Sequence, residues 1–576
     1  MNGGTIIANI IRQYGVTHLF TLSGGHIAPI YVEAEKAGLS IIDVRHEATA
    51  VFAADALARM SGIIGVATVT AGPGVTNTIT ALKNAQMAES PLLLIGGAAA
   101  TLLKNRGALQ DIDQMALVRP HVKYAARVTK LKDLAPKIHE AVSIATNGVP
   151  GPVFIECPMD LLYEEELVRD LYYKSLSKGN SLPAKLRNWY IKRHVNRLFS
   201  GISGDIPHRK KPKIDSSRTV KDISRTIAII SASERPLIVA GSGAMKQVDR
   251  ISELAPALES LGIPVYLGGM ARGLLGRNSR VQYFHRRTKA LKEADCIILA
   301  GIPVDFRLNY GGHFNRAAQL IAISKNRTDL RKNLKADIAI QEDPARYLTN
   351  LSRNIPTASG QWNSWHEILH SREQDRELEI TNKSRQKTKY INPLQLLRSL
   401  EEKLPHNSVI IVDGGDFAAS AAYMLRPRGP LKWLDPGVFG TLGSGGGFAL
   451  GAALHYPDHY IWIIYGDGSA GYSLMEFDTF NKFGIKVCGI VGNNGSWEQI
   501  ARDQEHILAS NTASTLPRSD YEKVAEAFGA NGIRVESMES FDLAVKNALA
   551  SMDKGVPYLI NAIIGTTDFR KGSISM

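Results

Sequence analysis

An aspartate between two glycines and a pair of asparagines farther along could together do chemistry in this 576-residue sequence. The sequence reads YGDG around Asp467 and GNNG around Asn494, 27 residues later. Each group follows an apolar run that predicts a parallel strand, and the carboxyl ends of such strands meet at one edge of a sheet. Mg²⁺ prefers carboxylate and amide oxygens, and glycines at a helix start suit phosphate. The spacing therefore predicts a magnesium-diphosphate site; the alternative is two ordinary loops.

A second candidate group lies near the beginning of the chain. Arg45-His46-Glu47 precedes an alanine-rich helix predicted over Glu47–Ser61, and a strand then leads into the turn Ala71-Gly72-Pro73-Gly74. Taken alone, Glu47 could be an acid that the helix dipole favours at a helix start. Together with the motif at Asp467 and Asn494, a catalytic role for Glu47 is favoured instead.

The elements that must position these residues form three α/β blocks. Short runs rich in Val, Ile and Leu alternate with longer helical patterns, which predicts doubly wound parallel sheets. We place an N-terminal domain at 1–163, a central domain at 223–355 and a C-terminal domain at 392–576. Polar segments, 164–222 and 356–391, are predicted linkers.

The first predicted linker is basic and contains the segment LRNWYIKRHVNRLF. This segment mixes apolar and basic residues at helical spacing. A solvated linker, a helix packed on its own domain and a contact with an anionic membrane surface are the alternatives.

Composition excludes several classes of protein. Hydrophobic residues make up 44% and the net charge is +13, which is modest for this length and does not demand nucleic acid. The three cysteines lie far apart in apolar runs, so we expect buried, reduced thiols. No apolar run reaches the roughly 20 residues that span a bilayer.

Over nearly its whole length, the sequence resembles thiamine-diphosphate-dependent enzymes. The GDG and NN motifs, the Glu47 helix and the AGPG turn carry this resemblance. It implies thiamine diphosphate and Mg²⁺ as cofactors, with Asp467, Asn494 and the carbonyl of Ser496 as metal ligands. It also implies diphosphate contacts at Gly415, Gly468 and Ser469.

The resemblance also assigns the other end of the cofactor. Glu47 would bind the aminopyrimidine ring and promote proton transfer within the cofactor. In the stretch VFGTLGSGGG, Leu442 would wedge under the bent cofactor and the carbonyl of Gly440 would accept its amino group; Leu442 as core filler is the alternative. Asp416 departs from the family pattern, because a carboxylate beside phosphates is unfavourable.

Members of this family build each active site across a subunit interface. The resemblance therefore implies a homodimer or homotetramer, with Glu47 from one subunit and the metal site from another.

The stretches LGGMARGLLGRN and RGPLKWLDPGVFGTLG resemble the 2-hydroxyacyl-CoA lyase branch of the family most closely. That branch cleaves the C1–C2 bond of an acyl-CoA substrate, as in fatty acid alpha-oxidation, to give a shortened aldehyde and formyl-CoA. His26 and Gln110 occupy positions that line the substrate pocket in relatives, although each could instead be a satisfied buried polar group.

The central domain bears on the main alternative, an acetolactate synthase-like carboligase that uses FAD. Positive charge at Lys325 and Arg327, where FAD-binding relatives tend to carry an acid, favours CoA over FAD, and a solvated loop is the alternative. A non-catalytic relative is the second alternative. The resemblance implies residence at the endoplasmic reticulum membrane, whereas the sequence predicts no anchor; we expect a cytoplasmic or peripheral location.

Overall fold

A computed structural model of the chain describes residues 2–201, 220–355 and 360–571, without the side chains of 220–222. The chain divides into two compact units, Met1–Pro212 and Lys213–Met576. The first unit holds one six-stranded sheet and the second holds two. Every strand pairing in the three sheets is parallel. The predicted α/β class with doubly wound parallel sheets is therefore confirmed.

The first unit is a sheet covered by helices on its faces. Its central strands are buried along their whole length and mostly apolar, because both faces are covered; Thr68 and Glu156 are buried polar exceptions. The strands are β1 (His18–Thr21), β2 (Ser40–Asp43), β3 (Gly65–Val69), β4 (Leu92–Ala98), β5 (Tyr124–Arg127) and β6 (Pro152–Pro158). The helices are α1 (Gly3–Gln13), α2 (Ala28–Lys36), α3 (Glu47–Ser61), α4 (Pro73–Thr76), α5 (Ile79–Met87), α6 (Gln114–Val118), α7 (Leu134–Thr146), α8 (Glu165–Lys174) and α9 (Leu182–Phe199).

The central strands of the first sheet in the second unit are also buried along their whole length. Its strands are β7 (Pro236–Ala240), β8 (Val265–Leu267), β9 (Gln282–Tyr283), β10 (Cys296–Ala300), β11 (Gln319–Ile323) and β12 (Ile338–Ile340). The accompanying helices are α10 (Val220–Ala232), α11 (Ile251–Leu261), α12 (Arg287–Glu293), α13 (Pro344–Asn354) and α14 (Asn363–Ser384).

The C-terminal sheet completes the second unit. Its strands are β13 (Ser408–Val412), β14 (Trp433–Leu434), β15 (Tyr460–Gly466), β16 (Val487–Asn493), β17 (Asn531–Val535) and β18 (Tyr558–Ile563). The helices are α15 (Pro393–Lys403), α16 (Asp416–Met424), α17 (Ser444–His455), α18 (Asp467–Ala470), α19 (Glu476–Lys482), α20 (Glu498–Leu508), α21 (Tyr521–Ala527) and α22 (Met538–Met552).

Strand order relates the first and last sheets. The first runs β2-β1-β3-β4-β6-β5 and the last runs β14-β13-β15-β16-β18-β17, so both follow the pattern 2-1-3-4-6-5. The central sheet runs β12-β11-β10-β7-β8-β9. Read from its other edge, this is 3-2-1-4-5-6, the order of dinucleotide-binding sheets. In each sheet the direction of winding reverses beside the first strand, and ligands bind open α/β sheets at such a point.

The first predicted linker contains regular structure. Helices α8 and α9 lie within 164–222, and α9 buries Ile191, Val195, Leu198 and Phe199 in the core of the first unit. The segment LRNWYIKRHVNRLF thus packs on its own domain through one face. The basic run at 208–213 lies outside the described residues.

The second predicted linker, 356–391, contains the whole of α14. This helix buries Trp365, whose indole N–H donates to the carbonyl of Pro236 at 3.1 Å, and Leu369. It therefore packs on the central domain rather than standing free in solvent.

The three cysteines are free and buried, as the sequence predicts. Burial raises the pKa of Cys296 to about 12 and that of the other two thiols still further from the ordinary range. Within the described ranges, no helix combines the length and the apolar character needed to cross a bilayer.

Two leucines of α9 form a matched pair that tests its packing. Leu198 is 2% exposed and Leu186 is 59% exposed. We expect Leu198→Ala to reduce the free energy of unfolding by about 2–5 kcal/mol because it leaves a cavity. Leu186→Ala should change it by about 0.5 kcal/mol or less. Denaturant unfolding of both variants measures the difference, and equal effects would contradict the packing of α9 on the first unit.

Candidate active site

The loops after β13 and β15 meet at the switch point of the C-terminal sheet. These strands are neighbours in parallel register. The N–H of Gly466 donates to the carbonyl of Gly414 at 2.9 Å. A Cβ on Gly466 would lie 2.8 Å from that same oxygen, so only glycine permits this approach of the two backbones.

Asp467 projects from the second of these loops and is only 3% exposed. Its carboxylate accepts the backbone N–H groups of Gly468 at 2.9 Å, Gly495 at 2.7 Å and Ser496 at 3.2 Å. Burial raises the pKa of Asp467, and the three N–H groups act in the opposite direction. The carboxylate thereby holds the loop after β16 against the loop after β15.

Asn494 brings a second oxygen to the same place. Its Oδ1 accepts the N–H of Ser496 at 3.1 Å, so this amide oxygen and Oδ2 of Asp467 both approach one nitrogen. Two oxygens that converge from adjacent loops suit a hard divalent cation. The residues present therefore fit the Mg²⁺ that the family resemblance implies.

Glu498 is a further acid in this region that the sequence did not single out. Its carboxylate accepts the amide Nδ2–H of Asn494 at 3.2 Å. Burial first, and then the neighbouring carboxylates of Asp416 and Asp467, raise the pKa of Glu498. Such an accumulation of negative charge favours a bound cation.

The structure gives Asp416 a partner. Its carboxylate forms an ion pair with Arg502 at 2.6 Å, and the guanidinium of Arg570 lies 3.9 Å away. The unfavourable charge that Asp416 would place beside phosphates is thus offset by two cations.

Three predicted diphosphate contacts lie in these loops. Gly415, with φ of +99°, starts α16, and Gly468 would bring a Cβ within 2.3 Å of the Trp497 ring. Both positions require glycine. The hydroxyl of Ser469 lies 3.0 Å from the carbonyls of Gly414 and Gly466. That side chain therefore ties the loops together.

Asp413 fixes the start of α17 and was not proposed as a site residue. Its two carboxylate oxygens accept the N–H groups of Gly443 at 2.9 Å and Gly445 at 2.7 Å. Asp413 is 3% exposed, and burial raises its pKa to about 7, although the two N–H bonds act in the opposite direction. It therefore anchors the residue that follows Leu442.

Leu442 packs against the glycine next to Asp413. Its Cδ2 lies 2.1 Å from the position where a Cβ on Gly414 would stand. Leu442 is only half-buried, which differs from a core residue, and Gly440 is exposed with φ of +64°. An apolar side chain thus stands beside the loop after β13.

Glu47 lies in the first unit, at the first turn of α3. It is 7% exposed, and its Oε2 accepts the amide N–H of Asn77 at 2.9 Å. Asn77 ends α4, which the AGPG turn starts. Glu47 is therefore in contact with the helix that begins at the glycine turn. The spacing of these residues in the sequence does not predict this contact.

His26 and Gln110 are joined through a residue that the sequence did not indicate. Nδ1 of His26 lies 3.3 Å from Oγ1 of Thr70, which lies 3.4 Å from Oε1 of Gln110. A Cβ on Gly72 would lie 2.9 Å from Cβ of Gln110. Buried Gln114 bonds the N–H of Gly72 and the carbonyl of Gly97, and so holds the turn in place.

The candidate residues thus form two groups, one in each unit. Glu47, His26 and Gln110 belong to Met1–Pro212, whereas the aspartate, asparagine and glycine loops belong to Lys213–Met576. Each group lies at the carboxyl ends of parallel strands.

Known protein families match both groups. Models of thiamine pyrophosphate enzymes match the chain with the N-terminal TPP binding domain at 1–117, the central domain at 223–351 and the C-terminal TPP binding domain at 413–562. A 2-hydroxyacyl-CoA lyase 2 from Danio rerio is 47% identical over 583 residues, which span 100% of this chain and 93% of that protein. The chain belongs to the thiamine pyrophosphate enzyme family. The predicted family is confirmed, as is its cofactor, thiamine diphosphate, which is another name for thiamine pyrophosphate.

Other similar proteins include one with the same name and two with different names. The human 2-hydroxyacyl-CoA lyase 2 is 45% identical and spans 100% of this chain and 92% of its own length. A probable acetolactate synthase of Mycobacterium bovis is 30% identical over 98% of this chain and 96% of its own length. A thiamine diphosphate-dependent 4-hydroxybenzoylformate decarboxylase of Rhodococcus jostii RHA1 shares the fold, with a TM-score of 0.78, 18% identity and coverage of 99% and 100%.

The raised pKa of Asp413 makes a prediction for stability. A folded-state pKa of about 7, above the unfolded value of about 3.9, means that the folded protein holds a proton that the unfolded chain releases. This carboxyl therefore lowers stability as pH rises between about 4 and 7. Asp413→Asn cannot titrate, so its melting temperature should fall less steeply over that window. Calorimetry across pH measures both slopes, and parallel slopes would contradict the assignment.

Proposed function

We propose that this enzyme is a thiamine-diphosphate- and Mg²⁺-dependent carbon–carbon lyase that cleaves the C1–C2 bond of 2-hydroxyacyl-CoA. The products are an aldehyde shortened by one carbon and formyl-CoA. The observation that carries this proposal is the 47% identity over the full chain to a protein named 2-hydroxyacyl-CoA lyase 2. The arrangement of both loop groups supports catalysis rather than binding alone.

The second unit would hold the diphosphate end of the cofactor. Asp467, the side chain of Asn494 and the carbonyl of Ser496 would bind Mg²⁺. The loops at Gly415 and Gly468 allow close approach of phosphate oxygens to backbone N–H groups. Asp467 keeps this geometry because its carboxylate already fixes the loop after β16.

The first unit would hold the pyrimidine end. Bound thiamine diphosphate supplies an electron sink for the electrons of the broken bond. Glu47 would hold a proton at Oε1 while its Oε2 accepts the amide of Asn77, so that Asn77 fixes the direction of the carboxyl group. Leu442 and the carbonyl of Gly440, which belong to the second unit, would orient the cofactor.

The row of side chains formed by His26, Thr70 and Gln110 would bind the polar end of the substrate. A 2-hydroxyacyl thioester presents a hydroxyl and a carbonyl on adjacent carbons. Both groups need hydrogen-bond partners when they leave water, and these three side chains offer donors and acceptors in one line.

We propose that the domains at 1–163, 223–355 and 392–576 assemble as a homodimer or homotetramer. Glu47 of one subunit would face Asp467 of another, as the family resemblance implies. We propose a cytoplasmic location or a peripheral one at the endoplasmic reticulum membrane, with the acyl-CoA as small-molecule partner.

A second candidate is an acetolactate synthase-like carboligase that binds FAD. The 30% identical relatives and the 3-2-1-4-5-6 order of the central sheet favour it. A third candidate is a non-catalytic relative, against which the intact Glu47, Asp467 and Asn494 argue.

The decisive experiment supplies thiamine diphosphate, Mg²⁺ and 2-hydroxyacyl-CoA substrates of several chain lengths. We expect mass spectrometry to detect the shortened aldehyde and formyl-CoA. Pyruvate serves as the competing substrate, and the absorbance of the purified protein reports flavin. Acetolactate from pyruvate, without cleavage of any 2-hydroxyacyl-CoA, would establish the carboligase instead.

Glu47→Gln keeps the hydrogen bond to Asn77 but removes the exchangeable proton. We expect turnover to fall by about a hundredfold to ten-thousandfold, because proton transfer loses its carboxyl group. Calorimetric binding of thiamine diphosphate with Mg²⁺ should persist. Full turnover in this variant would refute the role of Glu47.

Asp467→Asn is the matched change in the metal site. It removes the charge but not the shape, so we expect much weaker binding of thiamine diphosphate at limiting Mg²⁺, partly recovered at high Mg²⁺. Binding is measured in parallel with Glu47→Gln. An unchanged Mg²⁺ dependence would show that Asp467 does not contact the metal.

A further inference from the structure

Helix α9 has an inner face that attaches it firmly to the first unit. Val195 and Leu198 are buried in the core, and His194 Nε2 lies 2.8 Å from Oγ1 of Thr101. Arg169 on α8 donates to Asn196 at 2.7 Å. The helix is therefore already folded and fixed, and a partner on its other face would not have to order it.

The outer face of α9 is apolar as well. Leu182 is 71% exposed, Leu186 59%, Trp189 56% and Tyr190 52%. Positions 182, 186 and 189 are separated by four and three residues, which aligns them along one side of a helix. A single exposed leucine is ordinary, but a row of large apolar side chains on one helix indicates an interaction surface.

Positively charged residues flank this apolar row along the helix. Between Ser175 and Ser200 the sequence contains six basic residues and no Asp or Glu. Lys185, Lys192 and Arg193 are exposed, and the Arg193 guanidinium lies 5.1 Å from the centre of the Trp189 ring. The sequence continues to the basic run HRKKPK at 208–213, outside the described residues. The partner of this face should therefore combine an apolar interior with a negatively charged surface.

An anionic lipid bilayer has both properties. Leu and Trp side chains enter the boundary between headgroups and acyl chains, while Lys and Arg contact the lipid phosphates. A second copy of this chain fits less well, because two such faces would bring like charges together and protein interfaces are depleted in lysine. Nucleic acid would use the cations but would leave the leucines in water.

We propose that the outer face of α9, defined by Leu182, Leu186, Trp189 and Tyr190 with their flanking cations, docks on the surface of an anionic bilayer. Acyl-CoA molecules with long chains partition into bilayers, so this docking would bring the enzyme to its substrate. That consequence rests on the proposed function, whereas the docking itself does not.

Vesicle flotation of the full-length protein tests the proposal. We expect the protein to float with vesicles that mix phosphatidylserine with phosphatidylcholine, and not with pure phosphatidylcholine vesicles. Salt should weaken the binding because it screens the charges. If the protein stays at the bottom with both vesicle types at low salt, the proposal is wrong.

The apolar row is tested by the double variant Leu186→Ser and Trp189→Ser. It should lose flotation with the mixed vesicles. Leu543→Ser is the matched control, since Leu543 is 56% exposed on α22. Equal flotation of the double variant and this control would overturn the proposal.

The cations are tested by replacing Lys185, Lys192 and Arg193 with Gln. We expect the affinity for mixed vesicles to fall about a hundredfold, from the loss of three charges near an anionic surface. The control carries the same loss of charge at three exposed lysines elsewhere, Lys335, Lys546 and Lys554. If both variants lose affinity equally, net charge rather than this face is responsible and the proposal fails.

Two further measurements identify other occupants. Light scattering of each variant reports the oligomeric state, and a changed mass would assign the face to an interface between copies, against the proposal. Binding to an RNA oligonucleotide in preference to the vesicles would also refute it. Cleavage of a short-chain, water-soluble 2-hydroxyacyl-CoA should be unchanged in all variants. If flotation fails while cleavage is intact, the docking proposal is wrong and the proposed function still stands.

Discussion

The burial of one carboxylate against backbone N–H groups organises the C-terminal half of this protein. Asp467 can lie 3% exposed because three N–H groups from two loops point at its oxygens. The same bonds force the loop after β16 to lie beside the loop after β15, which brings the amide oxygen of Asn494 to the carboxylate. The geometry proposed for metal binding is thus a consequence of how a buried charge is satisfied.

The parallel sheets explain why such loops can meet at all. The first and last sheets share the order 2-1-3-4-6-5, and in each the candidate loops follow the strands around the winding reversal. Glu47 follows the strand at the edge of the first sheet, and Leu442 follows the corresponding edge strand of the last. One topology therefore places an acid after an edge strand of one sheet and an apolar side chain after the equivalent strand of the other.

The sequence predicted those helices and strands whose residue pattern is determined over a short range. Interior strands were found because burial on both faces requires continuous apolar runs, and α3 matches its predicted bounds. Edge strands such as β5, β14 and β17, and short strands such as β8, offer too few apolar positions for such a prediction. Asn77, Thr70, Gln114 and Asp413 were missed as site residues for another reason. Their significance lies in contacts with residues distant along the chain, which no local spacing reveals.

Helix α9 shows how the same limitation applies to surfaces. Its sequence pattern left a solvated linker, a packed helix and a membrane contact open, because apolar residues occur on two sides of it. The structure separates these sides, since Ile191, Val195 and Leu198 are buried while Leu182, Leu186 and Trp189 are not. Packing on the domain therefore accounts for only half of the apolar residues. The exposed half, which alternates with cations of the same helix, is the surface for which we propose a partner outside the fold.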